Sequence, residues 1–203
     1  MKKEEKTELT KRKIFAAAMN EFGTNGYAAG SVNNICKTGI NKGLVYHNFK
    51  DKDELYLECV RKVCDDLIYY VRDHGGEEGF VAYMNARKDF FREHEMEAYI
   101  FLETRTNPPH HIVNQIREIY LEFDELNREI FEKELSNYEL RESVSKEEAI
   151  NYFFEIQKIY NLCFADELQE NMSLHQQLNL HEMNIQKMLD LMLYGIAKGG
   201  NEA

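Results

Sequence analysis

Across 203 residues the chain holds two prolines, and they are neighbours, Pro108 and Pro109. Proline removes a backbone donor and clashes with the preceding helical turn, so a chain that keeps it to one place leaves every other segment free to be helical. Glu, Lys, Leu, Ile, Met and Ala fill those segments, residues that lose little side-chain freedom in a helix. An all-α fold is expected, with its clearest break at TNPPHH, residues 106–111. A hydrophobic content of 43% can fill a core. No apolar run reaches the roughly 18 residues that span a bilayer, and charge stands at the N-terminus where a secretory signal needs an apolar segment. The protein is expected to be cytoplasmic.

The formal charge of -11 is not evenly spread. Residues 1–52 hold ten Lys and Arg against five Asp and Glu, a balance of +5, which leaves -16 for residues 53–203. Such a split suits a protein that offers one end to a polyanion and keeps the other away from it.

Within the basic region, SVNNICKTGINKGLVYHNFKDK (31–52) reads as two short helices meeting at a glycine. Ser31 can cap the first, in which Val32, Ile35 and Cys36 recur at the spacing of one buried face. Gly39 accepts the positive φ of a sharp reversal, and Ile40 follows as an anchor in the turn. Asn41 is a cap for the second helix, where Val45 and Phe49 point inward. Lys42, Gly43, Leu44, Tyr46, His47 and Asn48 are left wholly or partly outward, a small, cationic, hydrogen-bonding surface that fits a major groove. Upstream, a helix is expected over about 9–22, with Ile14, Ala17, Ala18 and Phe22 inside and GTNGY turning the chain. Downstream, Asp51 is a candidate N-cap for a helix over about 52–74, with Asp53 and Glu54 at its positive end.

From 11 to 55 the ordered set Phe22, Gly26, Tyr27, Ser31, Val32, Ile35, Gly39, Lys42, Gly43, Tyr46, Phe49, Lys52 and Leu55 resembles the N-terminal DNA-binding domain of the TetR-type bacterial transcriptional regulators. The likeness covers about the first quarter of the chain. Two positions depart from it: Thr38 stands where a small residue is common, and Leu44 where Thr is common. The lost hydroxyl removes a possible hydrogen bond, while Leu44 still offers contact to a thymine methyl. The resemblance implies a three-helix helix-turn-helix domain over 1–52, then a helical effector-binding and dimerisation domain over 53–203. It implies a homodimeric regulator, a repressor by default, released from double-stranded operator DNA by a small molecule.

On this reading Ser31, Asn41, Lys42, Gly43, Leu44, Tyr46, His47 and Lys52 form the DNA-binding set. Lys42 can reach guanine O6 and N7 or, equally, a phosphate. Tyr46, His47, Ser31 and Lys52 are expected at the backbone. Asn41 can be simply a cap, and Gly43 lets the groove wall come close.

The C-terminal part reads as helices over 77–105 with a break near Glu95, then one long helix over 112–138. An S-x-x-E box at Ser145 and Glu148 opens another, and a last segment runs over 174–198. Phe91, Tyr99, Tyr120, Phe123, Phe153 and Tyr160, with Asn127 and Gln157 as polar contacts, are candidates to line an effector cavity, although aromatics at helical spacing are also core material. Ile150, Phe153, Ile185, Leu189 and Met192 lie on the broad apolar faces of the last two helices and are the expected dimer contacts. The physical motive for pairing is that one recognition helix reads few bases, whereas two read successive major grooves of a pseudo-palindrome.

Cys36, Cys59, Cys64 and Cys163 show no CxxC pair and read as buried, reduced thiols. Histidine pairs at His110 and His111, or His175 and His181 with Cys163, suggest a metal or nucleophilic site only weakly. HExxH, GxSxG, phosphate-loop and dinucleotide patterns are absent from the sequence. No enzyme, metal or cofactor is expected. The competing class is a helical protein-protein adaptor without specific DNA binding, which leaves the cationic helix without a purpose.

Overall fold

The computed structural model describes residues 3–167 and 172–196 and contains no β-strand among them. Ten α-helices follow in order: α1 (Lys3–Ala29), α2 (Val32–Cys36), α3 (Lys42–Asn48), α4 (Lys52–Asp73), α5 (Phe80–Glu93), α6 (Glu95–Thr106), α7 (Val113–Ile119), α8 (Leu121–Leu135), α9 (Lys146–Glu167) and α10 (Leu174–Ile196). They form two compact units, Met1–Asp66 with His94–Tyr120, and Leu67–Glu93 with Leu121–Ala203. These are divisions of packing, and they cut the chain elsewhere than the functional division expected near residue 52.

In the first unit, α1 packs on α6 and α2, and Ile14, Ala18 and Phe22 are wholly buried. The helix is longer at both ends than the apolar pattern predicts. Gly23, read as part of a turn, lies inside it, because a Cβ there would stand 2.6 Å from Cβ of Met96. Its missing side chain serves close approach of α1 to α6. The helical path breaks at Gly26 instead, where φ is 69° and ψ is -179°, a combination essentially confined to glycine.

The second unit packs α5, α8, α9 and α10 around Tyr83, Phe90, Phe131, Phe153, Ile185 and Leu189, all buried. Phe131 and Phe153 stack at 4.0 Å and 14°. The S-x-x-E box forms as expected: Ser145 Oγ accepts from Glu148 N at 3.2 Å, while Glu148 Oε2 accepts from Ser145 N at 2.9 Å. A second box, unread in the sequence, opens α10, with Ser173 and Gln176 exchanging bonds of 2.8 and 3.3 Å.

Two expectations need correction. The helix expected over 112–138 is divided at Tyr120 into α7 and α8. There the Ile119 carbonyl accepts from the Cys64 thiol at 3.5 Å, and the Tyr120 and Thr104 hydroxyls pair at 2.8 Å. These tertiary bonds hold the chain off the helical path without Gly or Pro to mark it. Cysteine burial also differs: Cys59 and Cys64 are buried, Cys36 is half-buried and Cys163 is exposed. Cys163 lies on the face of α9 that carries exposed Ile159, so its apolar neighbours in sequence do not cover it. None of the four forms a disulfide. The end of the last helix expected near Lys198 falls outside the described residues, and no helix among those described is long and apolar enough to cross a membrane.

Candidate functional site

Positioning of the short helices begins with Glu21. This buried carboxylate accepts from Ser31 N at 3.0 Å and from Asn34 Nδ2 at 2.8 Å, fixing the start of α2. Ser31 Oγ in turn accepts from Asn34 N at 3.1 Å, the expected cap. Val32 and Ile35 are buried below, Gly39 turns the chain at φ 93°, and Ile40 is half-buried. Asn41 Oδ1 then accepts from Gly43 N at 2.7 Å and caps α3. Val45, 1% exposed, pins α3 to the unit, and Phe49 is half-buried.

What remains outward on α3 is Lys42, Gly43, Leu44, Tyr46 and His47, all exposed, with Leu44 and Tyr46 at 44% and 49%. No acidic residue occurs between Glu21 and Asp51. Lys42 Nζ rests on Asn33 Oδ1 at 2.9 Å, and Lys37 Nζ on Asn34 Oδ1 at 2.9 Å. Both ammonium groups lean on neutral amides, which orient them without cancelling their charge.

Lys52 is placed differently. Its Nζ donates to the Tyr27 carbonyl and stands 4.1 Å over the Tyr27 ring, and burial holds its pKa below the ordinary lysine range. It is a strut between the start of α4 and the end of α1. Asp51 Oδ1 caps α4 by accepting from Glu54 N at 2.9 Å.

Sequence reading missed the group that holds this strut. Glu103 on α6 accepts from Tyr27 N at 2.8 and 3.1 Å and from the Tyr56 hydroxyl at 2.6 Å. Tyr27 also donates through its hydroxyl to Asp53, whose other oxygen lies 3.0 Å from His111 Nε2. Burial and the Asp53 carboxylate raise the Tyr27 pKa above its ordinary value. A Cβ on residue 26 would fall 2.6 Å from Glu103 Oε1. Gly26→Ala should therefore lose about 1–3 kcal/mol from the backbone conformation, with a further loss as Glu103 is pushed from Tyr27. Urea denaturation should show an early transition, and an unchanged midpoint would remove this role.

The expected effector residues divide. Tyr99, half-buried, and Tyr120, buried, belong to the first unit, where Tyr120 packs edge-on against Phe101 at 5.9 Å. Phe91, Phe123, Asn127, Phe153, Gln157 and Tyr160 are buried in the second. Among them only Phe153 and Gln157 border a cleft between α9 and α10, completed by Ile156, Ile185, Met188, Leu189 and Met192 and hardly wider than a water molecule.

Five polar residues that pattern reading did not single out for this site join the second unit's core. Arg87 and Glu182, 1% and 2% exposed, pair at 2.7 Å. Arg87 Nη1 donates to the Tyr83 hydroxyl at 3.0 Å, and Tyr83 donates to Asn127 Oδ1. His181 places Nδ1 3.1 Å from Glu182 Oε1 and Nε2 2.9 Å from Asn161 Oδ1. Burial alone would lower the Arg87 pKa, but Glu182 and Tyr83 more than offset it; burial would raise Glu182, and the Arg87 charge with His181 holds it below the carboxylate range. Their signal was phase: Arg87 follows Tyr83 by four residues, and His181 and Glu182 sit between Leu178 and Ile185 on the apolar stripe.

Of the expected dimer contacts, Ile150, Phe153, Ile185 and Leu189 are at most 4% exposed within a single chain, and Met192 is half-buried. They are core because they face α5, α8 and each other's helix. The apolar side chains left uncovered are their neighbours Tyr152, Ile156, Ile159 and Leu162 on α9, and Met183 and Leu191 on α10, exposed by 36–64%.

Residues 14–59 match the family model described as bacterial regulatory proteins, tetR family. The whole chain is similar in fold to a TetR-family transcriptional regulator from Agrobacterium tumefaciens, at 13% identity, 95% and 100% coverage of this chain and that one, and TM-score 0.63. It is similar as well to the transcriptional regulator FadR from Bacillus subtilis, solved in complex with stearoyl-CoA, at 17% identity, 91% and 98% coverage and TM-score 0.62. The ketosteroid transcriptional regulator KstR2 of Mycobacterium tuberculosis matches at 16% identity, 92% and 95% coverage and TM-score 0.55. Residues 14–59 thus match the tetR family of bacterial regulatory proteins, and the chain along its length shares the fold of these solved regulators.

Proposed function

We propose that the chain is a ligand-responsive transcriptional regulator, a cytoplasmic homodimeric repressor that binds a pseudo-palindromic operator and leaves it when a small molecule binds. Residues 1–52 are its DNA-binding part and 53–203 its effector-binding and dimerising part. The observation that carries the reading is the outward side of α3: exposed, free of acidic residues, and bearing Lys42 and Tyr46 over a buried Val45. Lys42, Gly43, Leu44, Tyr46 and His47 face the duplex, while Ser31 and Asn41 serve first as caps. Lys52 keeps the angle between α1 and α4 and contributes charge from behind.

Dimerisation uses the uncovered stripe of α9 and α10. Tyr152, Ile156, Ile159 and Cys163 recur at spacings of four, three and four, one helix face. Exposed apolar groups in such a row mark an association surface. An effector releases the operator only by preferring the geometry that does not bind it.

Operator titration at fixed salt tests the DNA-binding set. Lys42→Ala should weaken binding about 10- to 100-fold if it reads a guanine edge. If it meets phosphate instead, affinity falls across all sequences and the salt slope drops by about 1. Tyr46→Phe, which removes one hydroxyl, should cost about three- to tenfold. Wild-type affinity in both variants, or a flat response to salt, would remove these assignments.

A further inference from the structure

A single hydrogen-bond chain runs through α5, α8, α9 and α10 in the core of the second unit. Asn127 on α8 accepts from Tyr83 on α5, Tyr83 accepts from Arg87, and Arg87 donates to Glu182 on α10. Beside Glu182, His181 reaches Asn161 on α9. Arg87, His181 and Glu182 are at most 2% exposed. A buried ion pair rarely stabilises a core more than apolar residues of the same volume, and its best-attested use is to fix one arrangement against another.

The apolar stripe of α10 leaves such a choice open. Residues three apart share a helix face, and Ile185, Met188, Leu189 and Met192 recur at that spacing. A slide of three residues, about 4.5 Å along the axis, would carry Met188 and Met192 into the places of Ile185 and Leu189, apolar for apolar. The polar contacts do not survive it. Ile185 would stand where Glu182 meets Arg87, and Leu189 where Gln186 Oε1 accepts from Lys88 Nζ at 2.6 Å. Glu182 itself would move to the exposed place of Asn179.

We propose that the Arg87–Glu182 pair is the key that sets the register of α10 against α5. It selects between two packings that are apolar alike, and parting the buried pair disfavours the second by at least about a hundredfold. Met188 and Met192 line the cleft beside Ile156 of the exposed α9 stripe, so the register also decides which side chains of α10 flank that stripe. This bearing on pairing rests on the dimerisation reading above; the key itself does not.

Spectra of the full chain labelled with methyl-13C methionine test this, read at Met192, which lies two turns beyond Ile185. A Met192→Leu replacement assigns its signal. Wild type should give one Met192 resonance. Arg87→Leu with Glu182→Leu removes the key and should give two, or one averaged between them where exchange is fast. Glu182→Leu with Ile185→Glu moves the acid three residues along and should give one again, at the position of the second. Met19, in the first unit, should stay single and unmoved throughout.

Circular dichroism establishes folding first, and one folded variant is enough to decide. A Met192 resonance left at its wild-type position in either folded variant overturns the proposal. So does loss of folding in both, because the apolar stripe is then unable to pack without the pair. Sedimentation is a separate arm. If Arg87→Leu with Glu182→Leu dimerises as tightly as wild type, the bearing on pairing falls and the key stands on the spectra; a monomeric wild type removes the dimerisation reading alone.

Discussion

Arg87→Met should cost the second unit about 3–5 kcal/mol, enough to consume much of the roughly 5–15 kcal/mol that holds a typical domain together. The substituted side chain fills similar space, so the loss is electrostatic: Glu182 stays 2% exposed, and among the described residues its carboxylate then faces His181 alone. Arg87→Met with Glu182→Leu should recover most of the stability, because neither charge is then stranded. Acid should distinguish the two proteins further. The Glu182 carboxyl is held below its ordinary range, so the pair's contribution is present above the pKa of an unfolded glutamate and lost as pH falls through the lower folded value. Thermal melts from neutral to acid pH should therefore show a steeper decline in wild type than in the double variant. Equal stability of Arg87→Met and wild type would remove the pair from the core's energetics.

If α9 and α10 pair as proposed, Ile159→Glu should separate the dimer. Ile159 is 58% exposed in the single chain, so the change costs the monomer little, yet pairing about a two-fold axis would bury a charge from each copy. Central interface residues cost about 2–4 kcal/mol when lost, equivalent to a roughly 30- to 1,000-fold weaker dimer. Operator affinity should fall with it, since one half-site contact replaces two. Leu121→Glu, at a residue 66% exposed on α8 and off this stripe, is the control and should leave both measurements alone. Sedimentation of the two variants at micromolar concentration checks the contrast; a dimeric Ile159→Glu would move the interface elsewhere.

Local chemistry made the N-terminal end readable. Caps at Ser31, Asn41 and Asp51, the turn at Gly39 and the buried Val45 are each decided within a few residues, and the structure forms all of them. Where partners are distant, the pattern was silent or misread. Gly23 looks like a turn until Met96 is beside it, and nothing near Tyr120 announces that Cys64 and Thr104 will divide a helix there. Arg87 and Glu182 are 95 residues apart and recognisable as a pair only once α5 and α10 meet. Burial along α9 was illegible for a related reason: both of its sides are apolar, and periodicity cannot say which side the protomer keeps. Phe153 went inward and Tyr152 stayed out.

In the proposed regulator two copies of α3 enter one duplex. Selection of bound sequences from a random double-stranded pool by the purified full chain tests it most directly. The expected product is a pseudo-palindrome whose half-sites are centred about one helical turn, or a multiple of it, apart, lost when Lys42 and Tyr46 are both replaced by Ala. A pool that stays random, or an enriched motif that the Lys42 and Tyr46 double variant retains unchanged, would contradict it.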